Sequence, residues 1–455
     1  MRQWPLLALT LSLSANTVAA AAEAAKDWPQ WRGPNRDAVS LEKNLLKEWP
    51  EQGPPLVWDS SLVNPGKDGS LGIAWATVSI ANGKVYTMGK ENKGCHVFCL
   101  DEATGKLDWS TRICDARGGP NSTPTLDGDR TYALSFEGVL VCLGTQKGDI
   151  IWKKDMVKDF QSKWCRNASD WGFGESPLVD GDKVIVTPGA DDATLIALNK
   201  LTGETIWKAF IKDGGGWGWS SAVVAEVGGI RHYVQSMGNK ETGLVGVRAS
   251  DGKFLWKYAG AAGSHAQITT PIIKGDLVFT ANSYNGGSSL VQLVPDGDGG
   301  ITPKEIYHLK ANMLASHHGG VILVGDKIYG SHGQNNGMPF CLDMKTGSFD
   351  WKPVRGAGKG SAGVVYADGH LYYRYEDNVV ALVEATPKGY NLKSRFQIGI
   401  GDPTFQHRDN ATHRDLPGDL DTGWPHPVVV HGRLYIRAKN KVLCYDIRQS
   451  AVPQK

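Results

Sequence analysis

The chain is short of everything that usually announces chemistry. It has no CxxC or CxxCH, which removes zinc knuckles and c-type haem attachment, and no HxH or HxxxH pair of the kind that places two imidazoles on one metal. No Ser-His-Asp order or nucleophile elbow is present. Charge of either sign is not in excess: Lys plus Arg is 49 against 47 for Asp plus Glu, so neither nucleic acid nor an anionic membrane is an expected partner. Beyond the N-terminus no apolar run approaches spanning length, so no membrane span is expected.

The N-terminus, MRQWPLLALTLSLSANTVAAAAEA, sets Arg2 before an apolar run and ends in small residues at Ala19 to Ala22. This pattern predicts a signal peptide over residues 1–22 and an extracytoplasmic protein, periplasmic or secreted. The first cysteine is Cys95, so a lipid anchor at the cleavage region is not expected. Seven cysteines leave at least one unpaired in a monomer, the expected state. Cys99, Cys142, Cys341 and Cys444 occupy like positions in VFCLD, LVCLG, PFCLD and VLCYD and read as small buried hydrophobes on strands. Cys95, Cys114 and Cys165 read as loop residues, with Cys114–Cys165 a candidate bridge.

What is abundant is glycine, 56 residues, and tryptophan, 16 residues, a pairing that suits many tight turns each anchored by a large ring. Both recur with a period. A polar turn followed by a short β-branched or aromatic strand appears eight times: NGKVYT (82–87), DGDRTYA (127–133), DGDKVIV (180–186), GGIRHYV (228–234), KGDLVFT (274–280), VGDKIYG (324–330), ADGHLYY (367–373) and HGRLYIR (431–437). Most units close on Gly-x-x-x-Trp, as in Gly105–Trp109, Gly148–Trp152, Gly203–Trp207, Gly252–Trp256 and Gly347–Trp351, with Tyr307 and Phe396 substituting in two others. Alternating runs such as TLIALNKLTG (194–203) lie between and read as half-buried strands.

Each unit is therefore strand A, tight turn, strand B, loop, strand C, turn, strand D. Eight such units predict an all-β, eight-bladed β-propeller of four-stranded antiparallel blades. The eighth unit stops after VLCYDIRQS, and PPLVWDSS (54–61) supplies the missing alternation and aromatic. The expected division is a signal peptide (1–22), a strap (23–53) whose Trp28 and Trp31 pack on the disc, and a propeller (54–450) in which residues 54–61 complete the last blade.

DGDKVIV…TLIALNKLTGETIW and VLVCLGTQKGDIIW resemble the repeat of the PQQ-like propellers, the family of the quinoprotein alcohol dehydrogenases and the BamB-type assembly factors. The resemblance runs from about residue 54 to 450 and implies the fold. It leaves function open, because the repeat is structural.

Because A and B form a hairpin, every D-to-A connection and every B-to-C loop reaches one face, while the short A-to-B and C-to-D turns reach the other. The loop-rich face collects Trp164, Trp171, Trp217, Trp219 and Trp424 with His265, His317, His318, His332, His407, His413 and His426. Arg166, Lys240 and Asn282 lie in loops of the same face. Long loops on a rigid scaffold are where binding residues concentrate. The candidate ligand-binding set is Arg166, Trp171, Trp217, Trp219, Lys240, His265, Asn282, His317, His318 and His332. For His407, His413 and His426 a structural or solvated role is expected. His317 and His318, being adjacent, should point apart if the segment is extended, so no metal site is expected.

An exported binding or scaffold module follows, taking a protein, peptide or small molecule on this face, with no catalytic residue assigned. The alternative that the resemblance implies is a PQQ- and calcium-dependent dehydrogenase of alcohols or sugars. Trp217, Trp219, Arg166 and Lys240 could serve a quinone. The adjacent cysteine pair that many such dehydrogenases place over the cofactor is missing, and no Asp or Glu matches their calcium ligands or base. PDGDGGITPKE (295–305) looks like half a calcium loop but starts from Val294 and reads as a turn.

Overall fold

The computed structural model describes residues 27–64, 70–162, 171–212, 214, 219–238, 241–263, 267–399 and 423–451. Its strands form eight four-stranded antiparallel sheets, each a consecutive A-B-C-D meander except the last. Blades 1 to 7 span residues 79–115, 125–155, 178–209, 223–258, 272–309, 321–351 and 362–397. Blade 8 takes Val428–Val430, Arg433–Ala438 and Lys441–Asp446 as A, B and C, and Leu56–Asp59 as D. Trp58 pairs with Cys444 and Asp59 with Leu443, so the leading end of the chain closes the ring.

The repeating Gly and Trp are two halves of one joint. A Cβ on Gly148 would fall 2.5 Å from Trp109 of the preceding blade, and one on Gly203 2.8 Å from Trp152. The indole N–H then donates to a carbonyl beyond strand C of the next blade: Trp109 to Thr145 at 3.0 Å, Trp152 to Lys200 at 3.0 Å, Trp207 to Ala249 at 3.2 Å. Tyr307 does the same through its hydroxyl, to Met344 at 2.8 Å. Burying one such ring removes roughly 150–250 Å² from water, about 4–6 kcal/mol gross at ~25 cal/mol per Å². The seam reuses the device, since Phe396 of blade 7 lies against Gly53.

The N-terminal segment does more than strap the disc: it fills the middle. Trp28 exchanges backbone hydrogen bonds with Ile80 in strand A of blade 1, and Pro29 accepts from Leu126 in blade 2. The chain turns through Arg32, Gly33 and Arg36, all at positive φ, and comes back to pair Ala38 and Ser40 with Tyr366 of blade 7. Arg32 donates to the carbonyls of Gly319 and Val321 in blade 6, at 3.1 and 2.7 Å. Arg36 donates to Ser176 and Pro177 before blade 3, at 2.8 and 3.1 Å. Both guanidiniums are buried, which pulls their pKa values below the ordinary arginine range. Asp27 and Glu42 lie at the A-to-B turn face, against Asn82, His431 and Gly432, so the segment enters there, carries its tip toward the loop-rich face and returns.

Two cysteine expectations change. Cys95 and Cys114 are strand residues, directly opposite each other on strands C and D of blade 1. Cys165 lies outside the described residues, as do Trp164, His407 and His413. Cys99, Cys142, Cys341 and Cys444 are buried on strands. Asp296 accepts from the backbone N–H groups of Asp298 and Gly300, which makes its loop a closed C-to-D turn. Among the described residues no helix is long and apolar enough to cross a membrane.

Candidate functional site

The D-to-A connections converge on a cavity of about 350 Å³ at the loop-rich face. Trp75 enters it ahead of blade 1, Asn121 ahead of blade 2, Trp171 and Ser176 ahead of blade 3, and Trp219 and Ser221 ahead of blade 4. Ile268, His317 with His318, and Trp424 with His426 precede blades 5, 6 and 8, and Tyr284 comes from the B-to-C loop of blade 5. Trp31, at the tip of the central segment, is its floor, held by an N–H bond to Thr270 at 2.9 Å.

The rings touch in sequence. Trp75, Trp171 and Trp424 form a triangle with centroids 5.6 to 6.0 Å apart. Trp424 lies 4.8 Å from His318 at a 32° tilt, His318 is 4.3 Å from His317, and His317 is 5.3 Å from Tyr284. Trp171 remains 48% exposed, so the arc opens to solvent at one end. Trp219 is anchored by its N–H to Gly172 at 2.8 Å, and Asn121 by its amide to the Trp171 carbonyl at 2.8 Å.

His317 and His318 do not point apart. The segment bends here instead of extending, which brings both rings to one side. His317 Nδ1 lies 3.0 Å from Ser361 Oγ, and His318 Nε2 is 3.5 Å from Glu376 Oε1. Glu376, in the B-to-C loop of blade 7, also accepts the Trp424 N–H at 2.8 Å.

His426, expected to be structural or solvated, is buried in the wall, 4.8 Å from Trp31. Its Nε2 bonds the His318 carbonyl at 2.8 Å, and burial drives its pKa down to about 4, so the ring is neutral. Glu175 lies between Gly174 and Ser176, both of which line the cavity. Burial pushes its carboxyl up to about 7, against the pull of hydrogen bonds from Thr187 and the charge of Arg36.

Of the residues proposed from sequence, Trp171, Trp219, His317 and His318 line the cavity. Asn282 is buried and donates to the Ala261 carbonyl at 3.0 Å, and His332 accepts the Ala315 N–H at 3.1 Å. Both of these side chains brace loops. Arg166, Trp217, Lys240 and His265 lie outside the described residues. Trp75, Asn121, Tyr284, Trp424, His426 and Glu376 were absent from the set, yet each falls in a loop that the same face-sorting rule assigns to this side. Trp31 could not be reached by that rule.

The family model described as outer membrane protein assembly factor BamB matches residues 93–353, over half the chain. The chain belongs to the BamB family. It is 29% identical over 87 residues to the BamB of Alteromonas naphthalenivorans, 18% of this chain and 21% of that protein. The matched stretch thus spans about a fifth of that relative's length. Among solved structures, BamB from Moraxella catarrhalis superposes with a TM-score of 0.53 at 16% identity, covering 82% of this chain and 96% of that one. The quinohemoprotein alcohol dehydrogenase from Comamonas testosteroni gives 0.59 at 13% identity, covering 98% and 84%. At such identities these likenesses are of fold. The BamB family therefore supplies the propeller, and the cavity must be read from its own residues.

Proposed function

We propose that the protein is an extracytoplasmic binding module whose Trp-walled cavity takes a small, uncharged, ring-shaped ligand, a sugar or a planar heterocycle. The observation that carries this reading is the lining itself: five indoles, a phenol and three imidazoles around about 350 Å³, within the size range of small-molecule sites. Indole faces stack on flat or ring surfaces, while Asn121, Ser176, Ser221 and the imidazoles offer a few directed polar groups. None of the described lining residues is Lys, Arg, Asp or Glu, which favours a neutral ligand.

That lining is a poor fit for the quinone alternative. PQQ carries carboxylates and its calcium needs several hard oxygens. Among the described lining residues there is neither a cation to meet the carboxylates nor an Asp or Glu to supply calcium's oxygens. The buried arginines Arg32, Arg36 and Arg374 are engaged with backbone carbonyls.

The reading is tested by titrating tryptophan fluorescence with neutral mono- and disaccharides and neutral heterocycles, alongside PQQ with calcium. Saturable quenching by a neutral ring compound that is lost in Trp424→Ala supports it. Quenching by PQQ with calcium and dye-linked alcohol oxidation, with no response to neutral ligands, overturns it. A protein partner on the same rim, of the kind the relatives' name as assembly factors suggests, is favoured only if a pull-down depends on the exposed Trp171.

A further inference from the structure

We propose that His317, His318 and Glu376 form a site for one transition-metal ion of borderline softness, Zn²⁺ being the best match, in the wall of the cavity. The three side chains each bring one ligand atom within 4.8 Å of the other two, and all three are buried. His318 Nε2 and the Glu376 carboxylate are 3.5 Å apart. Two ligands of one tetrahedral zinc, each about 2.0–2.1 Å from the metal, stand roughly 3.3 Å from each other. The pair is thus spaced to share an ion, and the His317 ligand atom lies within 4.8 Å of both.

The groups behind these ligands are those a metal site needs. His317 Nδ1 lies 3.0 Å from Ser361 Oγ, a contact that orients the ring. The Ser361 carbonyl also accepts the Glu376 backbone N–H at 3.0 Å, so one residue fixes two ligands. The Trp424 N–H orients the carboxylate, and the Trp424 ring lies against His318. Gly360, at φ +78°, leaves the space the carboxylate occupies: a Cβ there would fall 2.3 Å from Glu376 Oε2. Two imidazoles and one carboxylate suit Zn²⁺, Co²⁺ or Cu²⁺ and not Ca²⁺, which takes oxygen alone. His317 and His318 line the cavity, with Glu376 behind them, so the fourth position of such an ion is reached from the cavity. The site stands whether or not the cavity also holds an organic ring.

The test uses the full chain after chelator treatment, titrated calorimetrically with Zn²⁺ and followed by visible absorption with Co²⁺. One equivalent should bind, with a Co²⁺ spectrum of tetrahedral intensity, and excess Ca²⁺ should not displace it. Glu376→Gln preserves volume and can still accept from Trp424, so it should fold normally yet bind about 100-fold more weakly, the upper end of what even outer-shell losses cost. His317→Asn should behave likewise. His308→Ala, on the exposed outer strand of blade 5, should bind as the parent does. Absence of saturable stoichiometric uptake, displacement by Ca²⁺, or unchanged affinity in Glu376→Gln and His317→Asn would overturn the site.

Discussion

The indole of Trp58 lies flat on Gly105: a Cβ on that glycine would sit 2.5 Å from the ring, and the indole N–H donates to Glu102 at 2.9 Å. Trp58 belongs to blade 8 and Gly105 to blade 1, so this contact is the ring's closure. Trp58→Ala removes a 4%-exposed ring from the seam and is expected to cost about 3–5 kcal/mol. Gly105→Ala meets both the ring and a φ of +71°, and should cost about 1–3 kcal/mol. Urea unfolding followed by circular dichroism reads both. Stabilities within error of the parent would mean that the seam carries no load.

The central segment should matter as much as any blade. Arg36→Met strips donors from the buried Ser176 and Pro177 carbonyls and from the partly buried Gln30 amide oxygen. A loss of about 2–4 kcal/mol is expected. Arg112→Met breaks an exposed pair with Asp115 and should stay within about 0.5 kcal/mol. Because Ser176 also lines the cavity, Arg36→Met should weaken ligand quenching before it unfolds the ring. Equal thermal midpoints for the two variants would contradict a structural role for the central segment.

The ring, its eight units and its seam are legible in the sequence because each rests on a local signal: a polar turn, an alternating strand, a Gly four residues before an aromatic. The face-sorting rule assigns Trp171, Trp219, His317 and His318 to the face where they line the cavity for the same reason, since hairpin geometry fixes which loop ends meet. Glu376 escaped because its value comes from proximity to His318, two blade positions that are close in space and 58 residues apart in sequence (376 minus 318). Trp31 escaped because DWPQWRGPNRD carries no periodicity, and its place at the cavity rests on long-range contacts such as its bond to Thr270. The adjacency of His317 and His318 misled, since the argument from extended backbone fails once the chain bends.

Cys95 and Cys114 face each other across blade 1, a register suited to a cross-strand disulfide. A hydrogen bond from Cys95 lowers the Cys114 thiol below the ordinary cysteine value, with Ser135 and Lys153 assisting, while the same contact raises Cys95. The more acidic, half-buried sulfur is the one that attacks an oxidant first. Mild oxidation with diamide should remove this pair of thiols, close the loop between them and stabilise the protein by up to about 3 kcal/mol. Cys114→Ser should abolish both effects. Persistence of all thiols under diamide, checked by thiol titration, would rule the pairing out.

His431 ties three parts of the seam together. Its Nδ1 lies 2.7 Å from Glu102 of blade 1, its Nε2 3.2 Å from Asp27 at the start of the central segment, and its backbone N–H donates to Glu42 at 3.0 Å. The Glu102 hydrogen bond raises the imidazole above its ordinary value, and the charges of Asp27 and Glu42 add to the effect against burial. A histidine raised in the folded state binds its proton more tightly there than in the unfolded chain. Its stabilisation is therefore complete below the unfolded value, near 6.5, and fades as pH climbs through the higher folded value. Since the imidazole is partly exposed, the contribution should be about 1 kcal/mol or less. The parent should then lose this contribution as pH rises above about 6.5 and the imidazole gives up its proton. His431→Asn is the informative variant, because asparagine tolerates the φ of +53° at this turn while it cannot titrate. Its melting temperature should start lower than the parent's at pH 6 and converge with it as pH rises through the folded value. A gap that stays constant across that range would show that the imidazole's charge contributes nothing to closing the ring.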